Sequence, residues 1–323
     1  MHVTQSQGIN PVRAELPIIL TPEDFGGDAT LESLIRNAPI VVGEKLHRAA
    51  GILFRGFDVL GEDQFQKFAK SFGHPLLSYD FGSTPRTDLG DGVYTSTEYP
   101  AHQKIPLHSE QAYTLSWPMK IWFHAIEVAE EGGETPIIDT RLLYQKIDPA
   151  VRDRFASKKL RYVRNYALGL DVPWEKVFGT NNKSEVERYC RDNHIKATWL
   201  DGDGLRTEQI CQAVAKHPGT DEDVWFNQAH LFHVSNLQDD IREALLMIVE
   251  GEENLPRNVT YGDGTPIEAE VLDHVREVIA DNQVKFPWQA GDILMLDNML
   301  AAHGREKFKG ARKTVVAMAE PNG

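Results

Sequence analysis

In Pro106-Leu107-His108-Ser109-Glu110 an imidazole and a carboxylate stand two residues apart. On an extended strand, side chains i and i+2 share a face, so His108 and Glu110 can reach one common point. Those donors suit a divalent metal, which needs at least one more ligand. The best candidate is His303, in Gly291-Asp292-Ile293-Leu294-Met295-Leu296-Asp297-Asn298-Met299-Leu300-Ala301-Ala302-His303-Gly304-Arg305. Ile293 to Leu296 reads as a short buried strand, and the glycine after the histidine lets the backbone turn. Two histidines and one carboxylate form the facial triad of non-haem Fe(II) sites, with positions left open for cosubstrate and O2. His-x-Glu alone is a weak pattern in a chain with 12 His and 48 acidic residues, where a strand end with a satisfied polar pair is its plain reading.

The company of the motif strengthens it. Arg312 opens the β-branched segment Lys313-Thr314-Val315-Val316, and a guanidinium fixed by a strand is what bidentate recognition of a carboxylate requires. Between the two halves, Gly132-Gly133-Glu134-Thr135 makes a tight turn into a strand, with the Thr135 hydroxyl available to an anion. Together with Gly51-Ile52-Leu53-Phe54-Arg55-Gly56-Phe57, these ordered motifs span most of the chain. The sequence resembles the taurine dioxygenase (TauD/TfdA-like) family of Fe(II)/2-oxoglutarate oxygenases. Within it, the glutamate of the His-x-Glu motif resembles the syringomycin-biosynthesis and clavaminate-synthase-like branch.

The resemblance implies a mainly β fold with flanking helices, a double-stranded β-helix or jelly roll. It implies that His108, Glu110 and His303 bind Fe(II), and that Arg312, assisted by Thr135, holds the distal carboxylate of the cosubstrate 2-oxoglutarate. O2 is the second cosubstrate, and the reaction couples decarboxylation to hydroxylation of an unactivated C–H bond. Halogenases of this class have a small residue at the carboxylate position, so Glu110 favours hydroxylation or desaturation. The family's second arginine, which holds a sulfonate, corresponds to Val316 here, which disfavours a taurine-like substrate. An amino acid or amino-acid-derived substrate, free or tethered to a carrier protein, in specialised metabolite biosynthesis is the expectation. Glu98, Gln111, Asn227, Gln228 and Arg305 are the polar candidates for holding it.

The elements that must position these groups follow from pattern. Pro17-Ile18-Ile19-Leu20 reads as a strand, and Thr21-Pro22 as a capped helix start. Helices are expected at 31–37 and 41–50. A strand follows at 51–57, and then a helix at 61–73 with Phe65, Phe68 and Phe72 on one apolar face. Strands are expected at 112–117 and 120–128, with His124 as a sheet residue. Asp148-Pro149 starts another helix. Asp201-Gly202-Asp203-Gly204 makes a hairpin turn and lacks the glutamate of a calcium loop. Asp223 to His233 mixes two histidines, Asn227 and Gln228 with large apolar groups, which suits either a pocket wall or structural support. Helices near 237–250 and 267–281 form a helical insertion around 237–281. With no repeats or linkers, the expectation is one dioxygenase domain, 1–323.

Composition bounds the partners. The formal charge of −14 argues against nucleic acid or an anionic membrane as a partner. No apolar run approaches a membrane span, and Cys190 and Cys211 match no zinc or redox spacing. A cytoplasmic enzyme is expected. Two readings from other classes compete: a non-catalytic jelly-roll binding protein with structural histidines, and a zinc hydrolase using His108 and His303.

Overall fold

The computed structural model describes residues 16–78, 86–97, 99–166, 169–249 and 251–322. A seven-stranded sheet runs in the order Ile18–Leu20, Gly51–Phe54, Ile293–Asp297, Trp117–Glu127, Lys313–Asn322, Val93–Thr95, Asp88–Gly90. Its first pair is parallel and its other pairs are antiparallel. This sheet is covered on both sides, which explains its nearly continuous apolar strands. Alternate residues split between two cores. Leu294, Leu296, Ile121, Phe123 and Val316 face inward. Met295, Trp122 and Val315 pack outward with Leu34, Val42, Phe65 and Phe68 of the helices Leu31–Ala49 and Gly61–Lys70.

Opposite the inward face lies a three-stranded antiparallel sheet, Ile105–His108, Ala301–Arg305, Ile137–Asp139. Ile137 and Ala301 contribute to the same core as Phe123 and Leu294, so the two sheets face one another as in a jelly roll. The far side of the small sheet is covered by another cluster. There Leu107, Ile138 and Ala302 join Leu272, Val275 and Ile279 of helix Ala269–Asn282 and residues of the sheet Lys196–Trp199, Leu205–Cys211, Leu160–Asn165, Arg257–Tyr261. The fold is therefore mainly β with flanking helices. No helix among the described residues is long and apolar enough to cross a membrane.

Three local expectations change. The two helices expected at 31–37 and 41–50 are one, Leu31–Ala49, running through Pro39. The stripe Leu31, Leu34, Ala38, Val42, Leu46, Ala49 is unbroken at helical spacing, and its burial offsets the roughly 3 kcal/mol that an interior proline costs. Residues 112–116 form turns and bends, and the strand begins at Trp117. The segment 237–281 carries helices Asp239–Val249 and Ala269–Asn282, and between them Arg257–Tyr261 pairs with Leu160–Asn165.

Candidate active site

Pairing of Ile105–His108 with Ala301–Arg305 sets His108 directly opposite His303, with ring centroids 4.7 Å apart. Gly304 makes that approach possible. It does not turn the chain as the sequence suggested. A Cβ there would lie 2.5 Å from the Ile105 carbonyl oxygen, so no larger residue fits between the strands. His303 also packs on Phe123 of the large sheet, at 4.8 Å between centroids.

Glu110 reaches the same point by another route than expected. The strand ends at His108, and Glu110 sits in the following turn, where Gln111 takes a positive φ of 57°. The turn is held by three buried side chains from two other parts of the chain. Asn298 accepts from the Glu110 N–H at 2.7 Å and donates to the Glu110 and Pro118 carbonyls at 2.9 and 2.8 Å. Gln228 Nε2 donates to the Ser109 carbonyl at 2.8 Å, and His230 Nε2 to the Leu107 carbonyl at 2.9 Å. Fixing the backbone at 107–110 in this way leaves the His108 and Glu110 side chains little room to miss each other.

One ligand atom from each of His108, Glu110 and His303 lies within 4.8 Å of the others. The tautomers suit a metal. His108 Nδ1 donates to the Pro106 carbonyl at 2.9 Å, which leaves Nε2 as the ring nitrogen available to a metal. Burial first, then the neighbouring His108 and Arg86, holds the His303 pKa well below its ordinary value, so its imidazole is neutral and ready to ligate. Its Nδ1 is buried without a hydrogen-bond partner among the described residues. Two imidazoles and one carboxylate in this arrangement therefore fit a divalent iron.

A second His–His–Asp group, His47, His217 and Asp297, lies within the same distance limit and fails the same test. His217 Nδ1 accepts from the Gly219 and Thr220 N–H groups, and its Nε2 donates to Asp297 Oδ2 at 3.0 Å. A metal on Nε2 would force the proton onto Nδ1, against two N–H donors. The cluster is structural instead. Asp297 Oδ1 accepts from the Met299 and Leu300 N–H groups, and so shapes the turn that presents Asn298 and leads into the His303 strand.

Both triad imidazoles border one cavity, lined also by Phe123, Thr135, Arg86 and Arg312. Arg312 has no carboxylate partner among the described residues. Burial, with help from the Arg305 charge, pushes its pKa down to about 10, the mark of a cation short of an anion. The turn Gly132–Gly133, with φ of 72° and 75°, runs against this guanidinium. A Cβ on Gly133 would come within 3.2 Å of Arg312 Cδ and Nε. Thr135 Oγ1 accepts from Trp288 Nε1 at 3.1 Å, so its own hydroxyl proton is left to donate.

The polar substrate candidates are spread out. Glu98 lies outside the described residues. Asn227 spends its amide on the Ala213 carbonyl and the Ala229 N–H, and Gln228 on the Ser109 carbonyl. Gln111 borders a different hollow, near Leu115 and Tyr189. Arg305 lines the triad cavity but donates to the carbonyls of Tyr99, Pro100 and Gln103. Sequence reasoning missed Asn298, His230 and Arg86, the last of which places Nη2 2.6 Å from Glu110 Oε2. For Asn298 a signal existed, since it follows Asp297 in the same motif as His303.

The profile described as "Taurine catabolism dioxygenase TauD, TfdA family" matches residues 25–318. The chain belongs to this family. It is an Fe(II)/2-oxoglutarate-dependent dioxygenase, with O2 as the second cosubstrate. It is 39% identical to the dapdiamide synthesis protein DdaC of Enterobacter agglomerans, over 99% of this chain and 96% of that protein. It is 30% identical to a clavaminate synthase-like protein of Arabidopsis thaliana, over 85% and 83%. Among solved structures, PvcB, described as an Fe, α-ketoglutarate-dependent oxygenase from an isonitrile synthetic pathway, shares the fold. Its TM-score is 0.53 at 15% identity, over 99% of this chain and 95% of that one.

Proposed function

We propose that His108, Glu110 and His303 hold the iron, that Arg312 and Thr135 hold the distal carboxylate of 2-oxoglutarate, and that the enzyme hydroxylates an unactivated C–H bond of an amino acid or amino-acid-derived molecule, free or carrier-tethered, in specialised metabolite biosynthesis. The observation that carries this reading is the in-register pairing of His108 with His303 on the cavity that Arg312 also borders. The substrate class is supported by the near full-length relative named for dapdiamide synthesis. Cytoplasmic action fits two free, buried cysteines. A single domain spanning 1–323 is part of the same reading, supported by the shared core of helix Ala269–Asn282 and the small sheet.

Bound iron, 2-oxoglutarate and O2 together supply the oxidative decarboxylation that yields succinate and CO2 and drives C–H cleavage. The protein's share is positioning. Arg312 and the Thr135 hydroxyl orient the diacid from its far end, while Phe123 and the buried sheet faces keep water from His303. Glu110 fills a ligand position with its own carboxylate, which leaves no place there for a halide.

The test is anaerobic addition of Fe(II) and 2-oxoglutarate, read as the visible charge-transfer band of an iron–keto-acid chelate. A panel of free and carrier-bound amino acids follows, read as succinate release and product mass. A product with one added oxygen supports hydroxylation, and one lacking two hydrogens makes the enzyme a desaturase. Metal binding without any succinate above the uncoupled background across the panel sinks the substrate proposal. An absent chelate band, with no bound metal, returns the chain to a non-catalytic jelly-roll binder.

Arg312→Lys keeps the charge and loses the planar fork. Loss of a charged hydrogen bond costs about 1.5–3 kcal/mol, so the variant should bind 2-oxoglutarate roughly ten- to a hundredfold more weakly, with Fe(II) binding unchanged. Equal 2-oxoglutarate affinity in titrations of the two proteins would remove Arg312 from the role.

A further inference from the structure

We infer that Arg86 is a positioning residue for the metal site: it grips one oxygen of Glu110 so that the carboxylate offers only the other to iron. The inference rests on the reading that His108, Glu110 and His303 are the ligands. Arg86 Nη2 lies 2.6 Å from Glu110 Oε2, a charge-assisted contact at its shortest, and the two side chains are 3% and 4% exposed. Arg86 borders the same cavity as both imidazoles and Arg312, and Glu110 lies within ligand reach of the imidazoles.

A carboxylate binds a metal through one oxygen or through both. A facial triad keeps three positions open only if its carboxylate takes a single one. Asn298 holds the Glu110 backbone but touches neither carboxylate oxygen. The side-chain torsions are therefore set by what meets the carboxylate, and Arg86 Nη2 meets Oε2. With Oε2 engaged by the guanidinium, Oε1 is the oxygen left to ligate. Outer partners of this kind orient a ligand and remove its alternative geometries. Glycine, alanine or any neutral short residue at position 86 would leave the carboxylate free to swing or chelate.

The experiment uses the full chain under anaerobic conditions with Co(II) as a redox-inert probe, whose visible d–d bands report coordination number. Wild type should bind one equivalent, and Glu110→Ala should not; cobalt bound equally by both would refute the triad itself, apart from any role of Arg86. Arg86→Gln, shown to be folded by circular dichroism, should bind Co(II) about 10- to 100-fold more weakly. At saturation its d–d bands should be weaker, as expected when both carboxylate oxygens reach the metal. Arg86→Lys, with a single ammonium point in place of the fork, should fall between the two. Wild-type affinity and an unaltered spectrum in folded Arg86→Gln overturn the inference, even if turnover falls, because the arginine would then be serving the substrate. Should the glutamine variant not fold, Arg86→Lys decides alone: several-fold weaker binding with altered bands supports the role, and values equal to wild type overturn it.

Discussion

Glu110→Ala is expected to lose measurable Fe(II) binding and with it all 2-oxoglutarate turnover, while the protein stays folded. Folding should survive because Glu110 contributes to the turn through its backbone. Its N–H and carbonyl bond to Asn298 whatever the side chain is. Metal binding should not survive, because two imidazole ligands alone bring no negative charge to set against a divalent cation, and one face of the triad is gone. The loss should exceed the roughly 10- to 100-fold typical when only an outer partner is removed. Removing the carboxylate also breaks a buried ion pair with Arg86, so Glu110→Gln is the companion variant that keeps an acceptor in its place. Anaerobic Fe(II) titration and succinate release measure the effect. Metal-dependent succinate formation in Glu110→Ala at a rate comparable with wild type would refute the assignment.

The second large effect lies at Asn298, which binds no metal but holds the Glu110 turn. Asn298→Ala strips the Glu110 N–H, the Glu110 carbonyl and the Pro118 carbonyl of their partner in a site with no solvent exposure. Each buried polar group left unpaired costs about 1–3 kcal/mol, so a loss of roughly 3 kcal/mol or more is expected, a large share of the usual margin of 5–15 kcal/mol. Because the same bonds set where Glu110 sits, iron affinity should fall together with the denaturation midpoint. Urea unfolding and metal titration on one preparation measure both. If stability drops while metal affinity holds, Asn298 is a core residue with no part in presenting the carboxylate.

What could be read from the chain and what could not divides along physical lines. His108, Glu110, His303, Thr135 and Arg312 stood out because their chemistry needs particular residue types at short spacing; the fold puts both imidazoles, Thr135 and Arg312 on one cavity and Glu110 within ligand reach of the imidazoles. The apolar alternation of Ile293 to Leu296 and Val315 to Met318 likewise announced strands. The supports were hidden. Asn298 meets Glu110, and Arg86 meets the same residue, only because sheets and loops from separate regions converge, and no local pattern encodes that. Asn227 and Gln228 looked equally suited to a pocket and to backbone support, and the structure places them on carbonyls of neighbouring segments. Gly304 was read as a turn because glycine's conformational freedom is visible in sequence, whereas the crowding of Ile105 that excludes a side chain is not. Pro39 argued for a break that the unbroken apolar stripe of its helix overrode.

The pairing of His108 with His303 joins strands separated by nearly two hundred positions in the polymer. Loop closure over such a span comes late in the assembly of a β-rich domain. A nascent or half-assembled chain thus lacks a competent ferrous pocket, and oxygen chemistry cannot be ignited on a scaffold that has yet to enclose it. Uptake of iron is accordingly a built-in timestamp for completed folding: stopped-flow refolding should show metal capture trailing the return of secondary structure.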